Sequence, residues 1–265
     1  ENDIICRYPK QMNEGKKMDV EIHANERVDA LFSNGIKIIQ SSEVFSFSLD
    51  AVLLAHFTNP AKKKEQKIVD LCAGNGAVGL FLTPRSSAQI YEVEIQPRLA
   101  DMAKRSIDLN GLEERVTVIN DDLNNVFDYL AKDSIDTVTC NPPYFEDQPD
   151  SKKNPNQYLA LARHELAVTL EQTIEQASGL LKMNGRVSYV HRPERLIEMI
   201  ELMKKHRLEP KRVQFVYPKR NREANMVLVE AIKDGKPGGL RFMPPLFVYE
   251  ENGEYTEEVR KIVYG

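Results

Sequence analysis

The stretch that most restricts the possible folds is Ile68-Val69-Asp70-Leu71-Cys72 and the turn Ala73-Gly74-Asn75-Gly76-Ala77-Val78-Gly79 behind it. The first five residues read as a buried strand. The glycines, at Gly-x-Gly-x-x-Gly spacing, read as a tight turn into a helix. Gly74 and Gly76 permit positive φ and close backbone approach, and Gly79 lets the helix pack near the strand. The spacing alone fits a nicotinamide dinucleotide equally well. Asp70 is more telling, because a carboxylate at a strand end suits an ammonium group or an ordered water rather than a pyrophosphate.

Strand and helix signals then alternate. Gln89 to Glu94 is a second strand, ending in an acid 20 residues past Gly74. A carboxylate there can hold both hydroxyls of a ribose. Glu94 ends the strand and is the better candidate; Glu92, on the same face but deeper, reads as a structural or rim charge. Pro97 to Asn110 is a helix with proline in its first turn and Gly111 past its end. Val116 to Ile119 is a third strand running into Asn120-Asp121-Asp122-Leu123, and Ile135 to Cys140 is a fourth. Ligands of open α/β sheets bind at the carboxyl ends of such strands.

The fourth strand delivers Asn141-Pro142-Pro143-Tyr144-Phe145. Two prolines end any strand or helix, and Pro142 pushes Asn141 toward extended backbone. The loop is therefore stiff and holds an amide, a bare carbonyl and an aromatic ring together. That set suits methylation of an exocyclic amine. The Asn141 side-chain carbonyl and the Pro142 backbone carbonyl can each accept one amine hydrogen, aiming the nitrogen at an electrophilic methyl. Tyr144 can stack on the planar group. Asn-Pro is also a common turn starter, so the bland reading is a strand exit with no role.

Asn141-Pro142-Pro143-Tyr144 resembles the signature of S-adenosylmethionine-dependent methyltransferases that act on amino or amide nitrogens. The Asp70-x-x-x-Gly74-x-Gly76 form is similar to their first motif. The resemblance implies a Rossmann-like fold: a seven-stranded sheet, mostly parallel with one antiparallel strand, helices on both faces. It implies S-adenosylmethionine as cofactor, with Asp70, Gly74, Gly76, Glu94 and Asn141 around it. An acid of the Asp121-Asp122 pair is expected at the cofactor's adenine, with Leu123 packing on the ring. The Asp-Leu pair favours Asp122, and Asp121 as the contact stays open. The segment Phe45-Ser46-Phe47-Ser48-Leu49-Asp50 is similar to one that covers the cofactor's methionine end. Asp50 is then a cofactor contact, or otherwise a helix N-cap, as Ser48 also can be.

Residues 25 to 261 as a whole resemble bacterial transfer-RNA adenine-N6 methylases acting beside the valine anticodon. The Asn-Pro-Pro-Tyr-Phe form, the Phe-Ser-Phe-Ser-Leu-Asp segment and Arg163-His164-Glu165 carry that resemblance. Glutamine-N5 methylation of a protein, guanine-N2 methylation of ribosomal RNA and a catalytically inactive binding module are the alternatives. The first 66 residues look too short and irregular for the helical substrate domain of a glutamine methylase. Pro143, Phe145, Arg192, Lys219, Arg220 and Arg222 are expected on an RNA substrate. The last three belong to a basic run, residues 203 to 222, in which eight cations face Glu209 alone.

The remaining expectations are architectural. Residues 1–24 read as a flexible tail, and 25–265 as one domain with an N-terminal cap segment, 25–66. Glu26 to Phe32 reads as a short helix, Ile36 to Gln40 as a strand, Ala51 to Phe57 and Leu159 to Lys182 as helices. Gln148 to Gln157 reads as a lid or a plain surface loop. At 265 residues and a net charge of −4, the chain can bury a substantial core but does not coat nucleic acid through bulk positive charge. No apolar run is long enough to span a membrane and no h-region opens the chain. Cys6, Cys72 and Cys140, odd in number and far apart, read as reduced thiols of a cytoplasmic protein, with no metal site expected.

Overall fold

The computed structural model describes residues 6–7, 20–30, 35–44, 49–144 and 168–265. Strands β1 (Cys6–Arg7), β2 (Glu26–Ala30) and β3 (Lys37–Ser41) form a small antiparallel sheet in that order. The helix expected from Glu26 is thus a strand. Glu26 to Ala30 pairs residue for residue with Ser41 to Lys37. Buried Asp29 is held there by Gln40 Nε2 at 2.8 Å and Arg27 Nε at 2.9 Å. A partner strand that satisfies the backbone outweighs a weak helical spacing of apolar residues. Leu31 and Phe32 lie outside the described residues.

The central sheet contains β4 (Lys67–Leu71), β5 (Gln89–Val93), β6 (Val116–Ile119), β7 (Ile135–Cys140), β8 (Leu181–His191), β9 (Leu208–Tyr217) and β10 (Met226–Lys233). Their spatial order is β6-β5-β4-β7-β8-β10-β9. Every neighbour pair is parallel except those made by β10, which is antiparallel to β8 and β9. This is the expected mostly parallel sheet with one reversed strand. Two-residue strands β11 (Arg241–Phe242) and β12 (Leu246–Phe247) add to the β9 edge.

Six α-helices accompany these strands among the described residues: α1 (Leu49–Phe57), α2 (Ala77–Leu82), α3 (Pro97–Leu109), α4 (Leu170–Leu180), α5 (Leu196–Lys205) and α6 (Glu257–Tyr264). One face of the sheet, with Ile68, Ile90 and Leu228, packs on α1, α2 and α6. The other, with Val69, Leu71, Val138 and Val229, packs on α4 and α5. All six residues of β7 are buried, the polar Asp136, Thr137 and Thr139 included, as expected of a central strand covered on both faces.

The expected helix from Leu159 to Lys182 is shorter where it is described. Thr169 is extended and caps α4, its hydroxyl accepting from Gln172 N–H while the Gln172 side chain accepts from Thr169 N–H. Such a reciprocal box ends a helix at its first residue. Among the described residues no helix is long and apolar enough to cross a membrane.

Candidate active site

The tips of β4, β5 and β6 follow one another along the carboxyl edge of the sheet, the edge that carries the glycine turn. Asp70 on β4 pairs with Glu92 on β5 and with Thr139 on β7. The Thr139 hydroxyl donates to Asp70 Oδ1 at 2.7 Å, while Oδ2 is buried and has no hydrogen-bond partner among the described residues. Burial pushes the Asp70 carboxyl up to about 7; Thr139 and the Gly79 N–H pull the other way, and Glu94 adds to the rise. Gly74 and Gly76 both have positive φ, +59° and +82°, as their role in the turn requires.

Glu94 lies just past β5. Gly74 N–H donates to its Oε2 and Gln96 N–H to its Oε1, both at 2.8 Å. The carboxylate therefore ties the glycine turn to the strand end. Each oxygen keeps a second lone pair, so ribose hydroxyls can still donate to it. Burial raises its pKa, against those two N–H groups. The turn is also held by Asn75, whose Nδ2 donates to Ile39 O of β3 at 2.9 Å.

Glu92 is not a rim charge. It is fully buried, and among the described residues neither carboxyl oxygen has a hydrogen-bond partner. It lies directly beneath the glycines: a Cβ on Gly76 would stand 2.5 Å from Glu92 Oε2. Burial, then the charge of Asp70, pushes its carboxyl well above the usual carboxylate range.

At the third tip, Asp122 Oδ1 accepts from Asn124 N–H at 2.8 Å and caps a short 3-10 turn that begins at Leu123. Asp121 is taken up by Tyr129 Oη at 2.7 Å and Asn125 Nδ2 at 3.0 Å. Leu123 is buried. Asp121 is thus the more fully occupied of the two.

The Asn141 loop leaves β7, the neighbour of β4. Pro142 is buried, and Asn141, Pro143 and Tyr144 are half-buried. The Tyr144 hydroxyl meets Asn141 Oδ1 at 2.7 Å and also Asp50 Oδ2, at the start of α1. Asp50 Oδ1 accepts from Ala51 N–H at 2.9 Å. Asp50 is therefore joined to the reactive loop through Tyr144. Burial, then the Asp50 charge, pushes the Tyr144 phenol well up. The Tyr144 ring lies 5.4 Å from the ring of His191 and 5.5 Å from the Arg192 guanidinium. His191 is fully buried; its Nδ1 accepts from Arg192 N–H at 2.8 Å. Burial, then Arg195 and Arg192, brings it down to about 3, so the imidazole is neutral. Phe145, the Phe45 to Ser48 segment, the expected lid and Arg163-His164-Glu165 lie outside the described residues.

The expected basic surface is divided. β9 runs about 33 Å at ~3.3 Å per residue through the middle of the eight-cation run. Lys205 pairs with Glu171, Arg207 with Asp234 and Arg212 with buried Glu230. Lys204, Lys205 and Arg207 lie before β9, at the edge away from Asn141. Lys219, Arg220 and Arg222 lie between β9 and β10, at the same sheet edge as Arg192. Lys219 Nζ donates to Glu251 O at 3.0 Å, and the Arg220 guanidinium lies 4.8 Å over the Phe247 ring.

Sequence reasoning missed Thr139, His191 and the Asp50–Tyr144 contact. The first follows from strand register, which one chain does not print. The other two join segments far apart in the sequence.

The sheet order and the glycine turn among acidic strand tips define a Rossmann-like methyltransferase. The chain belongs to the methyltransferase small domain family, whose model matches residues 35–214. It is similar to a tRNA1(Val) (adenine(37)-N6)-methyltransferase of Shewanella loihica, 32% identical over 54% of this chain and 58% of that protein. A Porphyromonas gingivalis protein of the same name is 26% identical over 79% of this chain and 83% of its own length. Among solved structures, a predicted O-methyltransferase from Agrobacterium tumefaciens superposes with a TM-score of 0.64 at 25% identity, over 80% of this chain and 94% of that one. The TYW2 protein of M. jannaschii, solved with AdoMet, gives 0.54 at 18% identity, over 84% and 89% of the two chains.

Proposed function

We propose that this chain transfers a methyl group from S-adenosylmethionine to the exocyclic N6 amine of an adenine in RNA, a transfer-RNA adenosine beside the anticodon, in the cytoplasm. The observation that carries the reading is the adjacency of β4 and β7. It sets the Asn141 loop beside the Asp70 tip and the glycine turn. The substrate follows the names of the curated relatives.

The residues fit the cofactor on their own chemistry. Asp70 Oδ2 is a buried acceptor with no hydrogen-bond partner among the described residues, matched to an ammonium group. A Cβ on Gly74 would meet nothing within 4 Å, so ligand atoms can approach that backbone closely. Glu94 takes the ribose hydroxyls, and Asp122 with Leu123 the adenine. When bound, S-adenosylmethionine supplies an electrophilic methyl on a sulfonium centre and leaves as a neutral thioether.

The chain's own part is positioning. Asn141 and the Pro142 carbonyl accept the two hydrogens of the target amine and turn its lone pair toward the methyl. Tyr144 and Pro143 confine the base. The new N–C bond leaves a cationic nitrogen, whose extra proton passes to water; no general base is required. Arg192, Lys219, Arg220 and Arg222 line the edge along which RNA phosphates run while one base is flipped inward.

The test is methyl transfer from radiolabelled cofactor to bulk transfer RNA, with release factor and ribosomal RNA as parallel acceptors, followed by nucleoside analysis. N6-methyladenosine in transfer RNA is the expected product, and label in either other acceptor alone overturns the reading. Asn141→Ala should abolish turnover while cofactor affinity persists. Equal loss of both would remove the loop from its assigned role.

A further inference from the structure

The Tyr144 hydroxyl has one hydrogen to give, yet both groups against it, Asp50 Oδ2 and Asn141 Oδ1, are acceptors. Two acceptors cannot share one donor in full. The carboxylate has no hydrogen of its own to offer, so it takes the one on the phenol. The amide can present either end after a half turn about χ2. With its hydrogen given to Asp50, the phenol oxygen is left as an acceptor, and the Asn141 NH2 is the end that suits it. That half turn moves the Asn141 oxygen to where the nitrogen stood. The Asn141 nitrogen makes no hydrogen bond among the described residues, and the residue is only half-buried, so an acceptor in this position is left for a substrate.

We propose that Asp50 is a positioning residue: through Tyr144 it fixes the Asn141 amide with its nitrogen inward and its oxygen toward the target amine. The chain of bonds runs from the Asp50 carboxylate to the Tyr144 hydroxyl, then to the Asn141 NH2, and ends on the Asn141 oxygen. Each member polarises the next, which strengthens the last acceptor. The oxygen becomes a better partner for the hydrogens of an amine that turns cationic as the methyl arrives. Without Asp50, the phenol hydrogen returns to the Asn141 oxygen and takes the lone pair the substrate needs. Asp50 is itself held by Ala51 N–H at 2.9 Å at the first turn of α1. α1 thereby locks an amide 91 residues further along the chain. This inference rests on the reading of Asn141 as the grip on an NH2 group.

The test is a double-mutant cycle on Asp50→Ala and Tyr144→Phe, read on whichever NH2 acceptor the wild-type enzyme methylates. Each single change should lower kcat by about 10- to 100-fold, the scale of a misplaced reacting group. KM for both substrates should stay within about twofold. The double variant should be no slower than the slower single one, because both break the same chain. Asp50→Asn keeps an acceptor for the phenol and should recover most of the loss. Affinity for S-adenosylhomocysteine, measured by calorimetry, should be unchanged in all three single variants. Independent, multiplying losses overturn the inference. A rise in the S-adenosylhomocysteine dissociation constant matching the loss of kcat in Asp50→Ala also overturns it, and makes Asp50 a cofactor contact. A wild-type enzyme that methylates glutamine rather than RNA refutes the substrate assignment but leaves this cycle intact.

Discussion

Asp70 has Thr139 on one side and Glu92 on the other, and the hydrogens offered by Thr139 and the Gly79 N–H only partly offset its burial. Removal from water therefore dominates, and the carboxyl titrates near 7 rather than at its ordinary 3.8. A group raised in the folded state contributes stability fully below its unfolded value. That contribution is lost as pH rises through the folded value. Ligand-free protein should accordingly melt at a lower temperature at about pH 8 than at about pH 6, and Asp70→Asn should shrink the difference. Binding a cation reverses the preference, because an ammonium group favours the ionised carboxylate. Affinity for S-adenosylmethionine should rise as pH passes through about 7, with proton release on binding seen in buffers of different ionisation enthalpy. Asp70→Asn should weaken binding and flatten the pH dependence. A wild-type affinity independent of pH across that range would show that Asp70 does not face the cation.

At the scale of elements, the junction of β4, α2 and β5 is set by the glycines and by Glu92. A Cβ on Gly79 would intrude on the Glu92 carboxylate, and one on Gly76 would also meet Ala103 Cβ at 3.1 Å. Gly76 must further hold a φ of +82°, where a side chain is strained. Gly79 has no such requirement, and the nearest obstacle there is the Glu92 side chain. Gly79→Ala should cost ~1–3 kcal/mol in denaturant unfolding, and adding Glu92→Ala should restore much of it. Failure of that rescue would mean that something other than Glu92 limits the approach of α2. This junction was legible in the sequence because its residues are consecutive: strand, glycine spacing and acidic tip are written in a row. β6 and β7 were read with their exact bounds for a related reason, a short β-branched stretch closed by Asn. The Glu26 segment was misread because its conformation is decided by β3, and the start of α4 because a capping box can look like the middle of a longer polar-faced helix. The site's second layer was illegible altogether. Thr139 beneath Asp70, and Asp50 against Tyr144, are brought together by strand register and by helix docking, which leave no local pattern.

Over the whole molecule, the sheet separates two sets of cations that the sequence presents as one run. Its amino edge carries Lys204, Lys205 and Arg207, of which the last two are engaged by Glu171 and Asp234. Its carboxyl edge carries Lys219, Arg220 and Arg222, at the same end of the strands as Arg192 and the Asn141 loop. Strand direction decides which set shares the edge of the Asn141 loop. β9 ends at the same edge as β7 and β8, since β10 reverses and returns between them. A chain with net charge −4 has no general attraction for phosphate, so RNA binding should depend on this one edge. Each phosphate neutralised on a single strand contributes a slope of about −0.7 in log affinity against log salt. Replacing Lys219, Arg220 and Arg222 together by alanine should make that slope shallower by about 2 and weaken binding most at low salt. The same replacement at Lys204, Lys205 and Arg207 should leave both slope and KM for RNA near wild type. Equal effects from the two triples would mean that RNA wraps both edges, and the assignment of the carboxyl edge as the sole RNA track would fail.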